Sequence, residues 1–266
     1  MPEQVTGWSW LFRVAAGDFT VAAAVVATPR RVVVVDTLAG PAEAAAVAAF
    51  ARERAAGGRL TVVLTHHHWD HAWGTAAFAG AEVVAQRQCP RLLAALLAGG
   101  AEDVPPPPPE GVPLPTMTFG DRLSLDDAQG SPVHLIHAPG HSEDSLVVFV
   151  PGERLLLAGD VVEWPLPSFS QRDGAEAWVA TLRRLKQLPV TTVVPSHGPV
   201  GGKELIDATQ RYVETVVEAV RAAKARGVGR GEVDLPVERA VAPGVEVGDA
   251  YRQVHAANLL WAWDDA

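Results

Sequence analysis

The chain has 266 residues, 48% of them hydrophobic and 20% charged, and carries a formal net charge of −9. That length allows one large domain or two small ones, and the balance is that of a globular protein with a sizeable core. An acidic chain without a basic cluster argues against a nucleic-acid surface, and the lack of any uncharged run of eighteen apolar residues argues against a membrane-spanning helix.

Residues Met1–Phe19 lack the basic start and continuous apolar run of a secretory signal. The single cysteine, Cys89, leaves no internal disulfide and fits a reducing cytoplasm, the expected compartment. It sits just before Pro90 and reads as a small, partly buried side chain.

Strands are expected at Phe19–Ala27 and Arg31–Asp36, both rich in Val, with the turn pair Thr28-Pro29 between them. A helix follows, with Pro41 in its first turn and Gly57-Gly58 beyond its end. Leu60–Thr65 is a short β-branched run suited to a strand buried on both faces, and it stops at the polar cluster His66–His71. A strand at Glu82–Ala85 and a helix through Arg91–Leu97 come next. Residues 99–115 contain five consecutive prolines, Pro105–Pro109, and form a stiff surface loop or lid rather than a domain boundary.

The second half repeats the theme. Val133–His137 runs into Ala138-Pro139-Gly140-His141, and Leu146–Val150 and Arg154–Ala158 pair around Pro151-Gly152, ending at Gly159-Asp160. Asp173 reads as a helix N-cap with Glu176 completing a capping box, and that helix buries Trp178, Leu182 and Leu185. Thr191–Val194 is a strand ending at Pro195-Ser196-His197-Gly198. A long helix from about 203 to 226 puts Leu205, Tyr212, Val216 and Val220 on one side, and a helical segment fills the rest, from about 228 to 266. The whole is one α/β domain over 1–266, in which His or Asp follows strand after strand, where ligands collect in such folds.

Thr65-His66-His67-His68-Trp69-Asp70-His71 is the most informative segment. Alternate residues of an extended chain point the same way, so His66 and His68 can grip one cation, and the turn after them lets Asp70 and His71 face a second. Imidazole with carboxylate suits Zn, Fe, Mn or Ni rather than Ca or Mg. A surface histidine cluster is the bland alternative, and it fits poorly between a core strand and the apolar helix start Ala72–Phe78.

With His66-x-His68-x-Asp70-His71, the chain also carries Ala138-Pro139-Gly140-His141-Ser142, Gly159-Asp160 and Ser196-His197-Gly198. Together, in this order and at strand ends, these motifs resemble the metallo-β-lactamase superfamily over roughly Val32 to Arg226. The resemblance implies a four-layer αββα sandwich with metals along one edge. It implies that His66, His68 and His141 bind one metal, that Asp70, His71 and His197 bind a second, and that Asp160 bridges them. This is the pattern of the glyoxalase II, lactonase and RNase Z branches, and Asp160 weighs against β-lactams as natural substrates. Two divalent ions, Zn first and Fe or Mn as alternatives, would hold a hydroxide that attacks a small ester-like substrate such as a thioester or lactone. Asp70 would position it and carry a proton toward the leaving group.

Other residues carry weaker expectations. Alternation points His67 away from its neighbours, into packing or support of the ligands. His137 is either a supporting hydrogen-bond partner or plain structure, and His134 is a partly exposed strand residue. Asp36 resembles the family's aspartate beneath the metals. Trp164, Leu166 and Phe169 are candidates for an apolar pocket wall or for lid packing, with Trp8 and Trp10 as further candidates at its mouth. His255 and Asn258 are assigned to helix packing or a homodimer contact, with a place at the pocket as the alternative. An iron persulfide dioxygenase-like oxidoreductase is the competing function, ahead of an RNase Z-like nuclease or a binding module. The absence of a clustered Lys, Arg and Tyr near the C-terminus argues against a glutathione thioesterase.

Overall fold

A computed structural model describes residues 1–16, 18–99, 110–125, 132–170 and 174–265. The proline run Pro105–Pro109 and the expected N-cap Asp173 lie outside the described residues.

Two sheets form the centre. The first runs in sequence order through β1 (Glu3–Gln4), β2 (Ser9–Ala16), β3 (Phe19–Ala27), β4 (Arg31–Val35), β5 (Arg59–Val63), β6 (Glu82–Gln86) and β7 (Met117–Phe119). Neighbours are antiparallel up to β4 and parallel from β4 onward. The second sheet holds β8 (Arg122–Leu125), β9 (Val133–His137), β10 (Leu146–Val150), β11 (Leu155–Gly159) and β12 (Thr192–Pro195), with only β11 and β12 parallel. The described helices are α1 (Pro41–Ala55), α2 (Trp69–Ala72), α3 (Cys89–Leu97), α4 (Ala175–Leu185), α5 (Lys203–Ala225), α6 (Val237–Ala240) and α7 (Asp249–Asp265).

The layering follows from strand alternation. In β3, Val21, Ala23 and Val25 join the layer of α1 and α3, while Ala22, Ala24 and Val26 face the other sheet. In β10, Val147 and Phe149 join the layer of α4, α5 and α7, while Leu146, Val148 and Val150 face inward. Strands covered on both faces must be apolar at nearly every position, which is why β4, β5, β10 and β11 read as continuous runs. The result is an αββα sandwich.

Four strands were not expected from the sequence: β1, β2, β7 and β8. In β2 only alternate residues enter the core, Ser9 and Leu11 being buried between partly exposed Trp10 and Phe12. The expected helix start at Ala72–Phe78 is the end of α2 followed by a 3-10 stretch, Trp73–Phe78. No described helix is long and apolar enough to cross a membrane.

The sheets converge at the carboxyl ends of β4, β5, β11 and β12. Leu146 N–H donates to Thr65 O at 2.8 Å, tying the second sheet to the end of β5. Gly159 sits there with φ +54°, and a Cβ on it would lie 2.9 Å from Thr65 Cβ, so only glycine lets β11 approach this closely.

Candidate metal centre

Every candidate ligand leaves a strand end or the turn after one. His66 and His68 follow β5, Asp70 and His71 lie in α2, His141 follows β9, Asp160 follows β11, and His197 follows β12. The segment Thr65–His67 bends rather than continuing the strand, yet His66 and His68 still come together, with ring centroids 4.4 Å apart. Two groups result whose ligand atoms lie within 4.8 Å of one another: His66, His68, His141 and Asp160, and beside them Asp70, His71 and His197. Asp160 Oδ2 joins them. It lies 3.7 Å from both His66 Nε2 and His141 Nε2, 3.2 Å from His71 Nε2 and 3.4 Å from His197 Nε2.

Hydrogen bonds behind the rings set which nitrogen faces inward. His197 Nδ1 lies 2.7 Å from Thr20 O and His141 Nδ1 lies 2.9 Å from Ser168 O. A carbonyl only accepts, so both Nδ1 atoms carry the proton and both Nε2 atoms are left for the centre. His71 Nδ1 donates to Asp36 Oδ2 at 2.9 Å. Thr65 Oγ1 gives its proton to Asp36 Oδ2 at 2.7 Å, so it accepts from His66 Nδ1 at 3.1 Å. His68 is turned the other way, its Nδ1 standing 3.0 Å from His141 Nε2. His66 Nε2, His71 Nε2 and Asp160 Oδ1 are buried without a hydrogen-bond partner. Buried polar atoms with no protein partner, aimed at one point and drawn from imidazole and carboxylate, are the donor set of a divalent transition metal.

Burial is the largest influence on each group, and neighbouring charge separates them. Burial and then the adjacent imidazoles hold His66 and His68 well below the usual imidazole range. Burial also lowers His71 and His197, but Asp160 and Asp70 outweigh it and hold both well above that range. Against the burial that would raise them, His71 and His197 pull Asp70 down to about 2 and Asp160 well below the carboxylate range. Imidazoliums paired with carboxylates are the arrangement that a bound cation would replace, releasing protons.

The centre opens into a cavity of about 250 Å³. Asp70, Asp160, Glu163, His68, His141 and His197 line its floor, and Phe19, Trp69, Tyr251 and Val254 give it an apolar side. Phe19 and Tyr251 meet edge to face, centroids 4.9 Å apart, and the Tyr251 hydroxyl donates to Trp164 O at 3.2 Å.

A family model of the metallo-β-lactamase superfamily matches residues 16–197. The chain belongs to that superfamily. Among curated relatives, it is 30% identical over 124 residues to a linear primary-alkylsulfatase of Pseudomonas sp. (strain ATCC 19151), covering 44% of this chain and 23% of that protein. It is 32% identical over 117 residues to a metallo-β-lactamase type 2 of Bacteroides fragilis, covering 41% and 46%. The matches thus span less than half of each relative's length. Solved metallo-β-lactamases from Pontibacter korlensis (TM-score 0.66, 21% identity, 80% of this chain and 98% of that one) and Hirschia baltica (0.63, 19%, 80% and 96%) share the fold. Membership of the metallo-β-lactamase superfamily supports a metal-dependent hydrolase in general.

Around this centre the structure sorts the remaining candidates. Asp36 lies beneath the ligands, accepting from Thr65 N–H and Thr65 Oγ1 at 2.7 Å and from His71. His67 turns away from the cavity to Asp144 at 2.9 Å. His137 also points away, its Nε2 donating to Glu143 O at 3.0 Å. Trp164 and Phe169 do not wall the cavity: both pack into the helix layer, where the rings of Trp178 and Tyr212 give Phe169 aromatic partners. Leu166 joins the same layer. Trp8 packs over Gly152, and Trp10 packs on Phe50 beneath Arg54, both away from the mouth. His255 is buried between Tyr212 and Leu235, in helix packing rather than at the pocket. Cys89 is fully buried, and burial followed by Asp144 pushes its thiol up.

Sequence reasoning missed Glu163, Phe19, Trp69, Tyr251 and Val254. Glu163 is buried 3.4 Å from His141 Nδ1, and burial, then Asp160, raises its carboxyl. A lone Glu three residues after Asp160 was the available signal; the apolar residues carry none outside the packed structure.

Proposed function

We propose that this chain is a dinuclear zinc hydrolase of the glyoxalase II-like and lactonase-like kind, acting on a small ester-like substrate. The observation that carries this reading is Asp160 Oδ2, a single carboxylate oxygen facing two imidazole nitrogens from each ligand group. His66, His68 and His141 would hold one metal, Asp70, His71 and His197 the other, with Asp160 shared. Bound there, a pair of divalent ions supplies Lewis acidity and a water activated near neutral pH.

The chain's own groups do the rest. Asp70 lines the cavity beside Asp160, and its carboxylate would take a proton from the attacking water and return it to the leaving group. Protonated Nδ1 atoms on His66, His71, His141 and His197 keep their Nε2 lone pairs directed inward. The apolar side of Phe19, Trp69, Tyr251 and Val254 receives the non-reacting part of the substrate.

The test is a panel of thioesters, lactones, phosphodiesters, alkyl sulfates and β-lactams, assayed with Zn, Mn and Fe forms alongside metal content. Two metals per chain with turnover of a thioester or lactone is the expected result. One iron per chain with thiol-dependent oxygen uptake and no ester hydrolysis would overturn the reading.

A further inference from the structure

The family match ends at residue 197, yet α7, more than fifty residues beyond it, is wired to the metal centre. We propose that Asn258 is a positioning residue for His141, clamping the loop whose Ser168 carbonyl orients that imidazole. Asn258 is 1% exposed and uses its whole amide. Its Oδ1 accepts from Phe169 N–H at 2.8 Å, and its Nδ2 donates to Pro167 O at 2.7 Å and to the Tyr212 hydroxyl oxygen at 2.9 Å.

The direction of each bond is determined. His255 Nε2 lies 2.7 Å from Leu235 O, a carbonyl, so Nε2 donates and Nδ1 accepts. Tyr212 therefore gives its hydroxyl proton to His255 Nδ1, 2.8 Å away, and its oxygen is left to accept from Asn258. The amide cannot flip without placing its NH₂ against Phe169 N–H and its oxygen against Pro167 O. Residues on both sides of Ser168 are thus held by one side chain, and Ser168 is left with its O toward His141 Nδ1 at 2.9 Å and its N–H donating to Glu163 at 3.1 Å. Ser170 Oγ, at the far end of the same loop, donates to His141 O. A buried network with every member satisfied holds one geometry, and support behind a ligating histidine sets its ring orientation.

The proposal rests on the reading that His141 binds metal, so the experiment follows His141 with and without zinc. Ring-nitrogen NMR of the full-length protein reports His141 and His71 separately, and chelator competition gives the two zinc affinities. In Asn258→Ala and Asn258→Asp the His141 Nδ1–H resonance should broaden or vanish in the metal-free protein. Zinc sensed at His141 should bind about 10–100-fold more weakly, while zinc sensed at His71 should change by less than about threefold. Leu259→Ala, which loosens α7 in the same layer but keeps the amide, should leave both readouts at wild type.

Unchanged His141 signals in the Asn258 variants, or an equal loss in Leu259→Ala, overturn the proposal. Should neither Asn258 variant fold, native-state hydrogen exchange on the wild type decides: Phe169 N–H and His141 Nδ1–H must open together as urea is added, and separate opening overturns the clamp. A wild type that takes up no zinc, with variants that still lose the His141 signal, would refute the metal reading and support the clamp.

Discussion

Replacing Asp36 by Asn tests whether the tautomer of a ligand, and not only its presence, is set from behind. Asp36 has φ 61°, a left-handed conformation that Asn tolerates as well as Asp, so the backbone need not move. The carboxylate accepts three bonds: Thr65 N–H at Oδ1, and Thr65 Oγ1 and His71 Nδ1 at Oδ2. In the variant, Oδ1 keeps Thr65 N–H, because the flipped amide would set donor against donor. The new NH₂ then faces Thr65 Oγ1, which can rotate to accept, and His71 Nδ1, which can accept only by giving up its proton, leaving the ring's proton on Nε2. The remaining proton occupies the nitrogen facing Asp160. Hydrogen bonds to a charged group contribute about 1.5–3 kcal/mol each, and Asn preserves part of the set, so the metal-free protein should lose about 1–3 kcal/mol in urea unfolding. Altered support behind a ligand weakens metal binding about 10–100-fold, which is about 1.4–2.8 kcal/mol. The loss should fall on the group of Asp70, His71 and His197, read by zinc competition against a chromogenic chelator. Wild-type affinity at both positions, or a loss confined to the group of His66, His68 and His141, would refute the reasoning.

Further outcomes follow from the same geometry. His68→Ala should cut hydrolysis by several orders of magnitude, whereas His67→Ala, whose ring is engaged with Asp144, should cost about tenfold or less in kcat/KM. Asp70→Asn keeps size but cannot accept a proton, and should lower kcat by about 10²–10⁴; ester hydrolysis within tenfold of wild type would refute its role. Gly140→Ala would bring a Cβ to 2.4 Å from the buried Trp178 ring and should destabilise by about 1–3 kcal/mol, read as a lower urea midpoint. Because His71 and His197 are raised, protons compete with metal there, so zinc affinity of that group should climb with pH until it passes their raised values and level off above. In the metal-free protein the same two groups stabilise below the ordinary imidazole range and lose that contribution as pH rises through their folded values. Asp70 and Asp160 are depressed, so they stabilise above the carboxylate range and lose this as pH falls toward about 2. Thermal unfolding across pH checks both signs.

Local chemistry in the chain determined which segments are strands and where they stop. Val-rich runs such as Arg31–Val35 and Leu146–Val150 suit strands covered on both faces, and a polar residue directly after such a run, as Asp36 follows Val35, marks a strand end. The candidate ligands were therefore legible as a set. β2 was not, because its polar Ser9 is buried while the apolar Trp10, Phe12 and Val14 stay half exposed, so its apolar residues do not mark its core face. What only the tertiary structure decided is how those ends meet. Thr20 O fixes the His197 ring across 177 residues of chain, and Asn258 holds Phe169 across 89. Tyr251 reaches the cavity because α7 packs against α5, and Trp164 and Phe169 leave it because the same helix layer buries them. Periodicity reports what lies within a few residues along one element. Which carbonyl stands behind an imidazole depends on the close packing of separate layers, and that is settled only when the whole sandwich has formed.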